Sequence, residues 1–306
     1  MNITLTGNLG SGKTSVCKIL ESQGFNIIST GSIFRSVASE KGISVTELNE
    51  LCKTDKELDR TIDERSAKLG EELDNTVFDS RLAWHFVRKS FKVFLLVSQK
   101  EAARRVYAGS PRDAENYSTE REAREGLLER AMLERSRYAD LYGLDYYSLS
   151  NYDLVIESTN ATPEQIAEEI VRNFKAYQKA EFTGKLEMNP SSVYPSKAFS
   201  GFSVDIYEQY LKQEKQNKIL CGLHKAAVVI KSGRMLLTDE GHSTFAAAKS
   251  GKAFVEIEIA DSDTDAVQAV DESTLAEYEK VGGFRYALPS GEEKDYMFEF
   301  GNGGWM

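Results

Sequence analysis

Gly7-Asn8-Leu9-Gly10-Ser11-Gly12-Lys13-Thr14 reads G-x-x-x-x-G-K-T with every fixed position filled. Ile3-Thr4-Leu5-Thr6 precedes it as an apolar-rich strand, and Val16, Ile19 and Leu20 follow at helical spacing. Strand, glycine loop and helix is the setting in which this pattern wraps a phosphate. Gly7, Gly10 and Gly12 let the backbone amides turn inward without Cβ clashes. Lys13 adds a movable positive charge for β- and γ-phosphates, and the Thr14 hydroxyl can ligate Mg²⁺. Ser15 lies in the first helical turn, where the helix field favours an anion.

The bulk numbers bound what surrounds this loop. The chain has 306 residues, room for two domains. With 41% hydrophobic and 28% charged residues it has the composition of a soluble globular protein. A net charge of −10 argues against uniform binding to nucleic acid. Cys17, Cys52 and Cys221 show no C-x-x-C pairing and no metal-ligand spacing, which suits a reducing compartment. The N-terminus opens into a strand without a charged leader, and the apolar run Val93 to Val97 is far too short to span a bilayer. The expectation is a cytoplasmic protein with no membrane partner.

Outward from the loop the pattern is βαβα. Phe25 to Ile28 reads as a strand, and Ser29-Thr30-Gly31-Ser32-Ile33-Phe34-Arg35 opens a helix to about Lys41. Val45 to Leu51 and Leu58 to Leu73 read as helices. The second carries Arg60, Asp63, Glu64 and Arg65, either a solvated face or the wall of a second substrate site. Thr76-Val77-Phe78-Asp79 is a strand ending in an acid, placed to hold a metal's water shell beside the loop. Lys92 to Val97 is a strand, and Gln99 to Ala108 a helix bearing Arg104 and Arg105. Gly109 to Asp113 reads as a loop. The long helix Thr119 to Tyr138 interleaves arginines with Glu122, Glu125, Glu129 and Glu134. Its bland reading is a set of surface ion pairs. Beside a phosphate loop, Arg130 and Arg137, two turns apart on one face, read instead as a clamp on phosphate oxygens. Tyr152 to Ile156 is a strand, and Thr162-Pro163 starts a helix that runs to about Lys179.

Residues 1 to about 178 resemble a compact cytidylate kinase. The resemblance rests on the loop, Ile28-Ser29-Thr30-Gly31 with Phe34-Arg35, Asp79-Ser80-Arg81-Leu82, and Arg130 through Arg137-Tyr138. Leu141-Tyr142-Gly143-Leu144-Asp145 and Tyr152-Asp153-Leu154-Val155-Ile156 extend it. It implies an α/β P-loop kinase fold with a five-stranded parallel sheet flanked by helices, a monophosphate-binding insertion and a closing lid. It also implies ATP and Mg²⁺ as cofactors and CMP or dCMP as phosphoryl acceptor. On that resemblance Arg35 and Arg81, with Gly31 and Asp63, bind the acceptor. Lys13, Arg130 and Arg137 act at the transferred phosphoryl, Thr14 and Asp79 hold the metal, and Arg112 belongs to the lid.

Beyond Lys179 the pattern changes, and residues 181–306 hold 13 Lys and Arg against 20 Asp and Glu. The domain expectation is 1–179 and 180–306. Val204 to Gln213 reads as a helix; Ala226 to Ile230 and Met235 to Thr238 read as a hairpin turning at Lys231-Ser232-Gly233-Arg234. Phe245 to Lys249 is a short helix stopped by Gly251, and Phe254 to Ile259 alternates as a half-buried strand. Gly283 to Trp305 reads as an aromatic hairpin. This series resembles the smaller α+β ParB/sulfiredoxin-like fold, whose members bind nucleotide phosphates at the turn corresponding to Asp239 to Thr244. That implies a nucleotide site at Gly241 to Thr244, against which stands a core-closing turn with a hydrogen-bonded His242. Three functions stay open: phosphoryl transfer to a nucleoside monophosphate, transfer to another small molecule or modified base, and a non-catalytic nucleotide-responsive regulator.

Overall fold

A computed structural model of the chain describes residues 1–52, 56–109, 117–182, 184–197, 208–209, 212, 226–231, 234–238, 241–260 and 267–286. Chain order gives β1 (Asn2–Gly7), α1 (Lys13–Ser22), β2 (Asn26–Ser29), α2 (Thr30–Lys41), α3 (Val45–Cys52) and α4 (Lys56–Glu72). β3 (Thr76–Asp79), α5 (Ala83–Phe86), β4 (Ser90–Leu96), α6 (Gln99–Ala108), α7 (Glu120–Tyr142), β5 (Leu154–Glu157) and α8 (Pro163–Gln178) follow. The rest is β6 (Lys185–Met188), β7 (Val193–Tyr194), β8 (Ala226–Lys231), β9 (Arg234–Leu237), α9 (Gly241–Lys249), β10 (Val255–Ile259) and α10 (Glu272–Gly282).

The elements begin and end on the residues that local chemistry dictates. Ser29 and Thr162 close capping boxes on α2 and α8, satisfying first-turn amides that have no helical partner. Thr119 caps α7 by accepting from the Glu122 amide. Gly143, at φ +67°, stops α7 in the left-handed conformation, so this helix runs four residues past the expected end at Tyr138. Gly251, at φ +75°, ends α9 as its sequence position predicts, but that helix begins at Gly241, earlier than the expected Phe245.

β1 is buried along its whole length, flanked in parallel by β3 and β4. The sheet order is β2-β3-β1-β4-β5-β6-β10-β8-β9-β7. From β1 the chain winds first to one side and then to the other. The glycine loop at the end of β1 therefore opens at the point where strand order reverses, where open α/β sheets gather ligands. One face buries Ile3, Leu5, Val93, Leu95, Leu154 and Ile156 against α1 and α8. The other buries Phe94, Tyr152 and Val155 against Leu82, Trp84 and Tyr146.

The sheet does not stop at the five strands expected. β6 pairs parallel with β5, and β10 pairs antiparallel with β6, so residues beyond 180 extend the same sheet. β8 runs parallel to β10 and forms the expected hairpin with β9, with Val228 opposite Leu237. Leu186, Met188, Val228 and Ile257 then join the core of Phe94 and Tyr152. An uncovered β5 edge would expose a row of backbone donors and acceptors, and β6 satisfies them.

Of the expected helix Val204 to Gln213, only Glu208, Gln209 and Lys212 are described, and all three are helical. The turn at Ser232-Gly233, the residues Asp239-Glu240, the lid loop with Arg112 and the tail hairpin past Tyr286 lie outside the described residues. Among those described, no helix is long and apolar enough to cross a membrane.

Candidate active site

The loop between β1 and α1 takes positive φ at Gly7 (157°), Gly10 (77°) and Gly12 (89°). Gly12 is the N-cap of α1 and has no side chain to cap the first-turn amides. Lys13 folds back over the loop, donating from Nζ to the Gly7 carbonyl at 3.2 Å and the Asn8 carbonyl at 3.4 Å. Thr14 and Ser15 are exposed at the helix start. Ser11 Oγ is buried without a hydrogen-bond partner among the described residues.

Arg81 approaches from the end of β3. A terminal nitrogen donates to the Gly7 carbonyl at 2.9 Å, the oxygen that Lys13 also uses. Its Nε donates to Glu134 on α7 at 2.9 Å. The other oxygen of Glu134 accepts from Arg130 Nε at 3.0 Å. The Tyr146 hydroxyl donates to Glu134 at 3.4 Å. One carboxylate thus ties two arginines from different elements to the mouth of the loop. Asp79, half-buried, sits level with Leu5 and Ser29 on the neighbouring strands.

The electrostatics follow from crowding. Burial, then the Arg81 charge, pull the Lys13 ammonium down to about 7, while Asp79 and Glu134 pull the other way. Burial opposes charge on Arg81 too, but the Glu134 carboxylate outweighs it and holds the guanidinium ionised. Burial would raise Glu134; the charges of Arg81 and Arg130 more than offset it and hold it below the ordinary carboxylate range. Burial, then Asp79, push the Cys17 thiol up to about 12, so it is an inert core residue.

The other expected positions divide. Arg35 is exposed on α2 with a terminal nitrogen 3.4 Å from where a Cβ on Gly31 would lie. Asp63 on α4 accepts from the Tyr142 hydroxyl at 2.5 Å, so α4 and α7 meet across the cleft. Arg137 is exposed, its guanidinium carbon 6.0 Å from the Tyr138 ring. Thr244, in the expected second nucleotide site, is buried inside the first turn of α9.

Two residues at the loop carry roles that spacing did not assign. Glu134 reads in sequence as one of several interleaved acids. Arg105 on α6 donates to the Ser158 carbonyl at 2.7 Å and the Thr159 carbonyl at 3.1 Å, both just past β5. It also donates to Ser11 at 3.5 Å, and the Ser158 hydroxyl donates to the same Ser11 carbonyl at 3.3 Å. The arginine-rich character of α6 was visible in sequence, but not which arginine turns inward.

Residues 2–160 match the model of the cytidylate kinase-like family. The chain belongs to this family. Cytidylate kinase of Methanobrevibacter smithii is 34% identical over 57% of this chain and 99% of its own length. An S-adenosylmethionine-dependent nucleotide dehydratase of Lacinutrix mariniflava is 35% identical over 60% of this chain, which spans only 37% of that protein. Among solved structures, shikimate kinase from Bacteroides thetaiotaomicron aligns with a TM-score of 0.41 at 17% identity, over 57% of this chain and 98% of its own. In this cytidylate kinase-like chain, β6 to β10 lie beyond the matched segment.

Proposed function

We propose that this protein transfers the γ-phosphoryl of ATP to a nucleoside monophosphate, CMP or dCMP. The observation that carries the reading is the meeting of Lys13 and Arg81 at the Gly7 carbonyl, with Arg130 tied to Arg81 through Glu134. Phosphoryl transfer asks little of a base and much of charge neutralisation and in-line positioning. Lys13 and the amides of Gly7 to Ser15 bind the donor phosphates. Arg81 and Arg130 flank the transferred phosphoryl, with Arg137 two helical turns further along the helix that carries Arg130. Gly31, Arg35 and Asp63 are the residues assigned to the acceptor.

Thr14 and Asp79 offer a hydroxyl and a carboxylate, the hard oxygen donors that suit Mg²⁺, an ion that keeps several waters and phosphate oxygens of its own. Bound there, Mg²⁺ neutralises charge on the phosphates. Among the described residues no group of three or more acids, histidines or cysteines is arranged to hold a metal ion. A site completed by substrate phosphates needs none.

The test is ADP release with ATP and Mg²⁺ across CMP, dCMP, UMP, AMP and GMP, with Lys13→Ala as control. Turnover with CMP or dCMP, reduced at least about a thousandfold in the variant, is the expected result. Silence with every monophosphate rejects the reading. A different acceptor is favoured by one observation: a segment 35% identical to this one lies inside a larger relative named for nucleotide dehydration. Efficient phosphorylation of CMP would exclude it.

The ParB/sulfiredoxin-like reading of 180–306 is supported by the β8–β9 hairpin, α9 and the β10 strand in that order. A nucleotide site there requires CTP to bind the Lys13→Ala protein in calorimetry; no heat would remove it.

A further inference from the structure

We propose that Glu134 is the positioning residue of this site, holding Arg81 and Arg130 as a preset pair. The inference rests on the phosphoryl-transfer reading above and adds a residue that acts on no substrate itself. Arg130 and Glu134 are four residues apart on α7, a spacing that usually gives a weak surface pair. Glu134 departs from that pattern in three ways. Its side chain is only 19% exposed. Its second oxygen crosses to the end of β3 and takes Arg81, itself 16% exposed. The Tyr146 hydroxyl reaches it from behind.

The atoms used are informative. Glu134 takes Nε of each arginine. Nε lies on the inner edge of the guanidinium, so this mode fixes the plane of the fork while turning its terminal nitrogens outward. On Arg81 a terminal nitrogen does reach the loop, at the Gly7 carbonyl. The carboxylate also stands against the repulsion between Arg81 and Lys13, which share that carbonyl. Behind it, Tyr146 is fully buried, its ring centroid 4.3 Å from that of Tyr147 with the planes tilted by 43°, and its carbonyl accepts from the Tyr152 hydroxyl at 2.6 Å. The pair is therefore anchored to the core rather than to solvent.

Orientation and charge make opposite demands when this carboxylate is removed. Glu134→Gln keeps the shape but deletes a negative charge beside the phosphate site, so a bare anion gains affinity. The arginine planes lose their common anchor, so transfer slows. A residue that only stabilised the fold would give the reverse: weaker anion binding and a lower melting temperature. The experiment measures kcat with ATP and CMP, calorimetric binding of inorganic pyrophosphate, and thermal melting, for wild type, Glu134→Gln and Glu134→Asp. Under the proposal Glu134→Gln lowers kcat about a hundredfold while pyrophosphate binds at least as tightly as to wild type. Glu134→Asp, which keeps the charge, recovers part of the loss. The proposal is overturned if kcat of Glu134→Gln stays within about twofold of wild type. It is equally overturned if the loss comes with weaker pyrophosphate binding and a lower melting temperature. Wild type that turns over no monophosphate rejects the functional reading instead. Glu134 then stands on unweakened pyrophosphate binding in Glu134→Gln and falls on weakened binding.

Discussion

Gly10 shows how much one residue of the loop is asked to do. Its φ of +77° lies where a side chain is strained, and a Cβ built there would meet the Ala102 carbonyl oxygen at 2.8 Å. The loop is therefore seated on α6 by a contact that only glycine allows. Gly10→Ala should destabilise the fold by about 1–3 kcal/mol and raise KM for ATP, because relief requires the loop to lift from α6. Urea unfolding and initial rates check both halves; an unchanged midpoint with an unchanged KM would contradict the seating. Gly24 is the contrast, with φ +96° but open space around a Cβ, so Gly24→Ala carries strain without a clash. The glycine pattern was fully legible in sequence, since spacing alone states that these positions need backbone freedom. What it omitted is the partner, Ala102, on a helix ninety residues away in the chain.

At the level of elements, α6 and α7 decide the geometry of the loop, and their contribution was only half legible. Both helices were read in sequence, α6 with its observed bounds and α7 four residues short of its end. Arg130 was placed beside the loop by reasoning from its type. Arg105 and Glu134 were present in the same reading as anonymous charges, because an arginine at helical spacing looks alike whether it faces solvent or a neighbouring strand end. Packing makes the distinction: the Arg105 side chain is 23% exposed, whereas Arg104 beside it is 56% exposed, and both pair with Glu101. Arg105 joins the carbonyls of Ser11, Ser158 and Thr159, locking the loop to the end of β5. Arg105→Met keeps much of the aliphatic bulk and removes those donors. It should raise KM for ATP roughly tenfold and leave Arg104→Met, the exposed neighbour, close to wild type, since unpaired half-buried carbonyls cost about 1–3 kcal/mol. Equal effects of the two substitutions would show that the helix's net charge matters and not the cross-link.

Across the whole molecule, the continuous sheet is the feature that sequence concealed. β6 reads Lys-Leu-Glu-Met, a short segment with two charged residues in which no strand was expected. In the fold Leu186 and Met188 enter one core, while Lys185 and Glu187 face the other side with α8 and β10. Glu187 is 2% exposed, opposite Glu256 on β10, and one of its oxygens lies 3.2 Å from Lys185 Nζ and 3.3 Å from Arg172. Asn173 donates to it at 3.4 Å and to Glu169 at 2.7 Å. Burial, then the hydrogen bond and charge of Glu169, push Glu187 up to about 8. Glu169 is held below its ordinary range: burial opposes this, but its hydrogen bonds and Arg172 prevail. The native state therefore keeps a proton on Glu187 that the unfolded chain releases near the ordinary carboxylate value. A raised folded value gives stability that is full below the unfolded value, declines above it and is gone once pH has risen through about 8. Glu169 works in the opposite sense, but only in acid, so the neutral-to-alkaline window belongs to Glu187. Glu187→Gln fixes the protonated shape permanently. Melting of the full chain from pH 5 to 9 should show the variant gaining on wild type as pH rises to about 8 and levelling off above it, by an amount on the order of 4 kcal/mol. Parallel melting curves for the two proteins would mean that the seam between β5 and β10 holds no such proton.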